Sequence, residues 1–188
     1  MKRKFFTLWQ YIRWPLLILC SVYTGLVVYR IPAVIQKRQT QGAVVVIHVQ
    51  RITLDDAMGK RLPFEPSPET RDATIAGVDV NNNGIRDDVE LTLFKKYPNS
   101  VQVRAAELQY ALTEQMFLTR VSNTETWKAV SEENARAQLC IIDNHTNRKE
   151  VEDLVFNTAA RVKAREKAYD FITSYGPEPG EPCDISNS

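Results

Sequence analysis

The residues best equipped for chemistry stand in one short run, Asp79-Val80-Asn81-Asn82-Asn83-Gly84-Ile85-Arg86-Asp87-Asp88-Val89-Glu90. Acid or amide side chains occupy its first, third and fifth positions. A glycine follows at the sixth, an acid at the ninth and a glutamate at the twelfth. Closely spaced oxygen donors suit a hard divalent cation, which takes about six to eight oxygens at roughly 2.3–2.6 Å. Elsewhere the chemistry is thin. His48 and His145 are the only histidines, and each reads as a surface or packing residue. Cys140 with His145 lacks further ligands nearby. Glu152 and Asp153 beside Arg148 and Lys149 read as solvated helix pairs. Trp127 and Tyr110 lie within apolar stripes and read as core. No G-x-S-x-G, P-loop or H-E-x-x-H run occurs, so no catalytic residue is assigned. Asn144-His145-Thr146 is a glycosylation sequon, relevant only in a eukaryotic secretory host.

The run 79–90 resembles an EF-hand calcium loop, matching its full pattern over twelve residues and the helix that follows. The resemblance implies calcium as the bound ion, held by side-chain oxygens of Asp79, Asn81 and Asn83. Gly84 would allow the sharp turn and the Ile85 carbonyl would point back at the ion. Asp87 would act directly or through water, and Glu90 would close the shell with both oxygens. Asp88 is then a spare acid. Two features depart from the pattern. Arg86 stands at the eighth position, where paired loops place an apolar residue, and residues 66–78 do not form an entering helix. The site therefore resembles the solitary loop-then-helix sites of secreted bacterial proteins. The stretch IAGVDVNNNGIRDDVE is also similar to segments of uncharacterised bacterial envelope proteins. The alternative is a plain Asn/Gly turn that opens a helix.

The elements that must position this loop begin with an N-terminal anchor. Residues 1–30 carry five basic and no acidic side chains, while the whole 188-residue chain is only +1, so the remainder is mildly acidic. That balance leaves no footprint for nucleic acid. The apolar run from Trp14 to Tyr29 would span about 24 Å as a helix, and Ile31, Ala33, Val34 and Ile35 can extend it toward the ~30 Å hydrocarbon core. Trp9, Tyr11 and Trp14 would form an aromatic belt on one side and Tyr29 on the other. Pro15 falls near the expected helix start. Tyr23-Thr24-Gly25 and Ile31-Pro32-Ala33 lack the small residues of a cleavage site. Cys20 follows Leu19 within a continuing apolar run, which disfavours a lipoprotein. A retained single span over 14–35 fits best. The basic excess before it points to a cytoplasmic N-terminus of residues 1–13. Residues 36–188 would then lie outside the cytoplasm, in the periplasm of a Gram-negative cell. Cys140 and Cys183 remain as an even pair for an oxidising compartment and read as one disulfide. Two unpaired thiols in a cytosolic domain are the alternative.

Hydrophobic content of 44% and charged content of 25% describe an ordinary globular body. Residues 36–74 read as a juxtamembrane segment and Pro-rich spacer. Within it Val44 to Ile47 fit a strand or a continued helix, and Thr53 with Asp56 resembles a capping box before a turn at Gly59. Residues 75–175 carry the loop and four amphipathic helices. The first keeps Val89, Leu93 and Phe94 on one face and stops at Pro98. The second has an N-cap at Asn99, the third a capping box at Ser122-x-x-Glu125, and the fourth opens at Asn147 and runs through Ile172 to Gly176-Pro177. Residues 176–188 form a Pro/Gly-rich tail. The expected fold class is mainly α: one transmembrane helix and a small helical array bearing the calcium loop. The expected function is non-enzymatic, a binding or assembly component of the cell envelope with a protein partner there. A calcium-dependent envelope hydrolase and a calcium-responsive regulator are the alternatives.

Overall fold

The computed structural model describes residues 2–176 and 180–185, with side chains from Arg13 onward. The side chains of Trp9 and Tyr11, and Pro177 in the tail, lie outside the described residues. Among the described residues the chain is helical without strands, as the fold-class expectation has it. Two compact units are present, Met1–Gly42 and Ala43–Ser188.

The first unit is the apolar part of α1 (Lys2–Val49). Its stretch from Arg13 is long and apolar enough to cross a membrane, and its large apolar side chains, such as Leu19, Leu26 and Ile31, are exposed. Pro15 and Pro32 both lie inside the helix, which begins well before Trp14. The expected start near Pro15 is therefore corrected: the helix passes through a proline, at the loss of one backbone hydrogen bond each time. Ser21 and Thr24 donate their hydroxyls to the carbonyls of Ile18 and Cys20, which keeps these polar groups satisfied without a partner helix.

The second unit starts with the last turns of α1. Residues 43–49 are helix, which settles the strand-or-helix ambiguity, and Ile47 is fully buried in the core. β-branched residues can enter a helix when tertiary burial outweighs their weak local preference. The Thr53–Asp56 capping box is present and opens the single turn α2 (Leu54–Ala57), which Gly59 ends at φ +72°. The spacer holds one further turn, α3 (Pro68–Arg71). Then come α4 (Asp87–Lys96), α5 (Val101–Thr119), α6 (Thr124–Asp143), α7 (Arg148–Val155) and α8 (Ala159–Tyr169).

Three helix starts differ from expectation. Ser100 rather than Asn99 caps α5, accepting from Val103 N, because its hydroxyl stands one position before the first helical residue. Asn123 with Thr126, not Ser122 with Glu125, forms the capping box of α6. The expected fourth helix is two helices. Thr158 accepts from Arg161 N and starts α8 afresh after a break at Phe156 and Asn157. The last of these helices ends at Tyr169, before Gly176.

α5 is the central element and packs against α2, α4, α6, α7 and α8. Leu108, Tyr110, Ala111, Leu112, Met116 and Phe117 meet Ile47, Val89, Leu93, Trp127, Val130, Ile141 and Val151 in one core. Tyr110 and Trp127 are core residues, as expected. Arg104, Glu107, Gln109, Thr113, Glu114 and Gln115 on α5 are buried too. Buried polar groups persist only with partners. Arg104 donates to the Ala57, Tyr97 and Pro98 carbonyls, and Asn134 donates to Thr113 and Glu114.

Candidate metal centre

The loop 79–90 turns where the sequence requires it. Asn82 at φ +56° and Gly84 at φ +89° reverse the chain. A Cβ on Gly84 would lie 2.0 Å from Gln50 Nε2 and 2.7 Å from Leu112 Cδ1, so only glycine fits. Asp79 caps the turn, accepting from Gly84 N at 2.9 Å and Asn83 N at 3.2 Å. Asn83 Oδ1 accepts from Ile85 N at 2.9 Å. These backbone bonds bring the oxygen-bearing side chains toward the first turn of α4.

Asp79, Asn81, Asn83, Asp87 and Glu90 gather around that turn. Asn81 Nδ2 donates to Glu90 Oε2 at 2.9 Å, and Asn83 Nδ2 to Glu90 Oε1 at 3.1 Å. Asp87 Oδ1 accepts from Val80 N at 3.0 Å, whereas Asp87 Oδ2 is buried with no hydrogen-bond partner. Ile85 is buried in the core and Asn83 nearly so. Burial pushes the Glu90 carboxyl up to about 7, opposed by its bonds to Asn81 and Asn83. Burial also raises Asp87, with the Asp79 and Asp88 charges adding to it. Glu90 and Asp87 are thus two buried acids that a nearby cation would hold ionised. Asp79, Asp87 and Glu90 do not by themselves form a metal-holding group, and no group of three or more His, Cys, Asp or Glu does so among the described residues. Turning either Asn amide about its terminal bond would exchange nitrogen for oxygen toward Glu90.

The loop is tied to four other parts of the body. Gln50, directly after α1, donates to the Asn83 carbonyl at 3.2 Å. Asn81 donates to the Arg61 carbonyl in the spacer. The α5 residue Leu112 lies close under Gly84. Arg86 supplies the fourth tie. It is wholly buried and grips Asp88 through Nε at 2.6 Å and Nη2 at 2.8 Å. It also donates to the Val155 and Leu154 carbonyls at 3.0 and 2.9 Å, at the C-terminal end of α7. Asp88 is therefore not a spare ligand but the counter-ion of Arg86. Ile85, one position earlier, is buried in the core. Asp87, Asp88 and Glu90 in the first turn of α4 and Lys95 and Lys96 in its last turn match the helix dipole.

Cys140 and Cys183 are joined in a disulfide with Cα atoms 4.9 Å apart. The sequence missed how firmly the tail around it is held. Asp184 accepts from Ile52 N and pairs with Arg136 and Arg51. Its own N–H donates to Gln109 Oε1. Burial raises its carboxyl despite these partners. His48 lies between Glu133 at 2.7 Å and Glu132 at 3.7 Å, a packing role near α1's end. Burial would raise Glu133, but bonds from Arg51, His48 and Arg136 bring it below the usual carboxylate range. A second buried cluster joins Tyr110, whose hydroxyl donates to Glu152, with Glu114, Asn134 and Arg165. The Lys149–Asp153 pair is exposed as expected, while Arg148 donates instead to Gln138. His145 sits in the α6–α7 turn at φ +54°.

No family model, no curated protein and no solved structure matches this chain.

Proposed function

We propose that residues 79–90 hold a calcium ion that fastens α4, the end of α1 and α7 into one body. The body is carried outside the cytoplasm on its N-terminal helix as a binding or assembly component of a bacterial cell envelope. The observation that carries the ion reading is the meeting of Asp79, Asn81, Asn83, Asp87 and Glu90 around one turn, with Asp87 Oδ2 buried and unpartnered. Calcium bound there would supply positive charge to Asp79, Asp87 and Glu90. Two neutral amide ligands keep the charge count low, which fits an affinity on the order of 10⁻⁴ M. Such a site fills where calcium is millimolar and acts as a staple rather than a signal. The compartment is supported by the apolar helix, the basic residues ahead of it and the disulfide.

Thermal melting of the full chain in detergent, with calcium, magnesium or chelator, tests the ion. Saturation at about ten times the dissociation constant adds roughly 1.4 kcal/mol. Calcium should raise the midpoint more than magnesium, and Glu90→Gln should abolish the difference. Identical melts in all three conditions refute the ion. Co-purification from detergent-solubilised membranes, with cross-linking through residues 43–188, tests the assembly role. Recovery of the chain without any envelope protein would refute it.

A further inference from the structure

The Cys140–Cys183 bond forms part of the wall of a cavity of about 580 Å³, between the single turn α2, the first turns of α5 and the end of α6. Leu54, Ala105 and Ala106 line one side, and residues 181–183 with Ile185 cross the other. The two sulfurs differ in access. Cys140 is 2% exposed, whereas Cys183 is only half-buried. The tail that carries Cys183 is a strap held mainly by polar bonds. Gln109 donates to the Pro182 carbonyl at 2.8 Å, Arg136 to the Glu181 carbonyl at 3.0 Å, and Ile52 N to Asp184 at 3.1 Å. Ile185 packs against the core at its edge, and the helices beneath make their own core without the strap.

We propose that this disulfide is a site of thiol–disulfide exchange with a dithiol, attacked at Cys183 Sγ, and that its reduction releases the strap and uncovers the cavity while the helices stay folded. A thiolate of the dithiol forms a bond to Cys183 Sγ as the Cys140–Cys183 bond breaks. The electron pair stays on Cys140 Sγ, which takes a proton. The second thiolate of the reagent then displaces Cys183 Sγ, which also takes a proton, and the reagent leaves as its own disulfide. Two electrons pass from the dithiol to the cysteine pair. Asn144 Nδ2 lies 3.7 Å from Cys140 Sγ and 3.6 Å from Cys183 Sγ, where it can donate to the sulfur that becomes the thiolate. Once free, the strap takes Asp184 away from Arg51 and Arg136 and leaves Ile52 N without its acceptor. The cavity then opens at Leu54, Gln109 and the small side chains Ala105 and Ala106. None of this rests on the ion.

The test uses the full chain in detergent without denaturant. A limiting monothiol, acid quenching and peptide mapping locate the mixed disulfide, with Cys20 read on its own peptide. An adduct on Cys183 with Cys140 as free thiol is expected. An adduct on Cys140 overturns the assignment. Dithiothreitol should then reduce the pair with helical circular dichroism unchanged. Amide hydrogen exchange at Ile52 and Asp184 should speed up by roughly tenfold or more. A disulfide that survives until the helices melt, or one whose reduction leaves both amides protected, overturns the proposal. Cys183→Ser should reproduce the reduced exchange pattern. If that variant does not fold, the core depends on the bond and the proposal fails.

Discussion

Replacing Arg86 by methionine isolates the attachment of the loop to α7. The stem of methionine fills much of the same buried volume, so the change removes mainly the guanidinium. Two carbonyls, Leu154 O and Val155 O, then lose their donors at a buried helix end. A stranded buried acceptor costs about 1–3 kcal/mol. Asp88 loses its partner as well, but its side chain is 16% exposed and water can take over. Counting both carbonyls and allowing for relaxation, the variant should be destabilised by about 3 kcal/mol. For a body of this size that is a midpoint lowered by roughly 6–12 °C. Thermal melting of the full chain in detergent at saturating calcium measures it. Asp88→Ala separates the two contributions. If the carbonyls dominate, Arg86→Met/Asp88→Ala melts close to Arg86→Met alone. If the ion pair merely cancels its own desolvation, the double variant returns to the wild-type midpoint. That return, or an Arg86→Met midpoint within about 1 °C of wild type, refutes the idea that Arg86 anchors the loop.

Gly84→Ala should lower stability by about 2 kcal/mol or more, since it meets both a left-handed backbone and Gln50; denaturant unfolding checks this. Gln50→Ala should recover only the steric part. Bonds from Arg71 and from Arg161 hold the Asp72 carboxyl down to about 2, below the usual carboxylate range. Because its folded value is depressed, its contribution is present above about pH 4 and is lost as pH falls toward 2. Asp72→Asn should flatten that part of an acid titration of stability, and an unchanged titration would contradict it. The full-length chain should remain in membranes after carbonate washing, with residues 43–188 open to protease from outside the cytoplasm. Recovery in the soluble fraction with a new N-terminus near residue 26 or 34 would refute the retained anchor.

The helices were legible because their spacing and caps are local. Thr53 with Asp56 and Asn147 before Arg148 announce helix starts through short-range hydrogen bonds. The break between α7 and α8 was not, because Val151, Leu154, Val155 and Val162 keep helical spacing across it. The signal was there in Asn157-Thr158, a pair that competes with the helix for backbone N–H groups. At the loop, the turn residues and the gathering of Asn81, Asn83 and Glu90 follow from the twelve-residue pattern. Arg86 did not follow from it, because its partners are carbonyls some seventy residues away and a carbonyl has no sequence signature. The same holds for Asp184, whose partners Ile52 and Arg136 lie far away in sequence. Glu107 and Glu114 on α5 lie inside the body, held there by contacts with α6, α8 and the α6–α7 turn that are distant in sequence.

The central place of α5 has a consequence for how the body can assemble. Fourteen of its nineteen residues are buried, so it has no face that could rest stably in water while neighbours are missing. A partly built body lacking α6 would take Asn134 from Glu114 and Thr113, and one lacking α2 would take the Ala57 carbonyl from Arg104. Each omission leaves ionic or polar groups half-matched in an apolar setting, which raises the free energy of every intermediate. Such a molecule should melt in a single cooperative step, its helices gaining slow proton exchange together rather than one after another. For the same reason it offers no smaller autonomous fragment: the hub and its surrounding helices rise and fall as one thermodynamic unit.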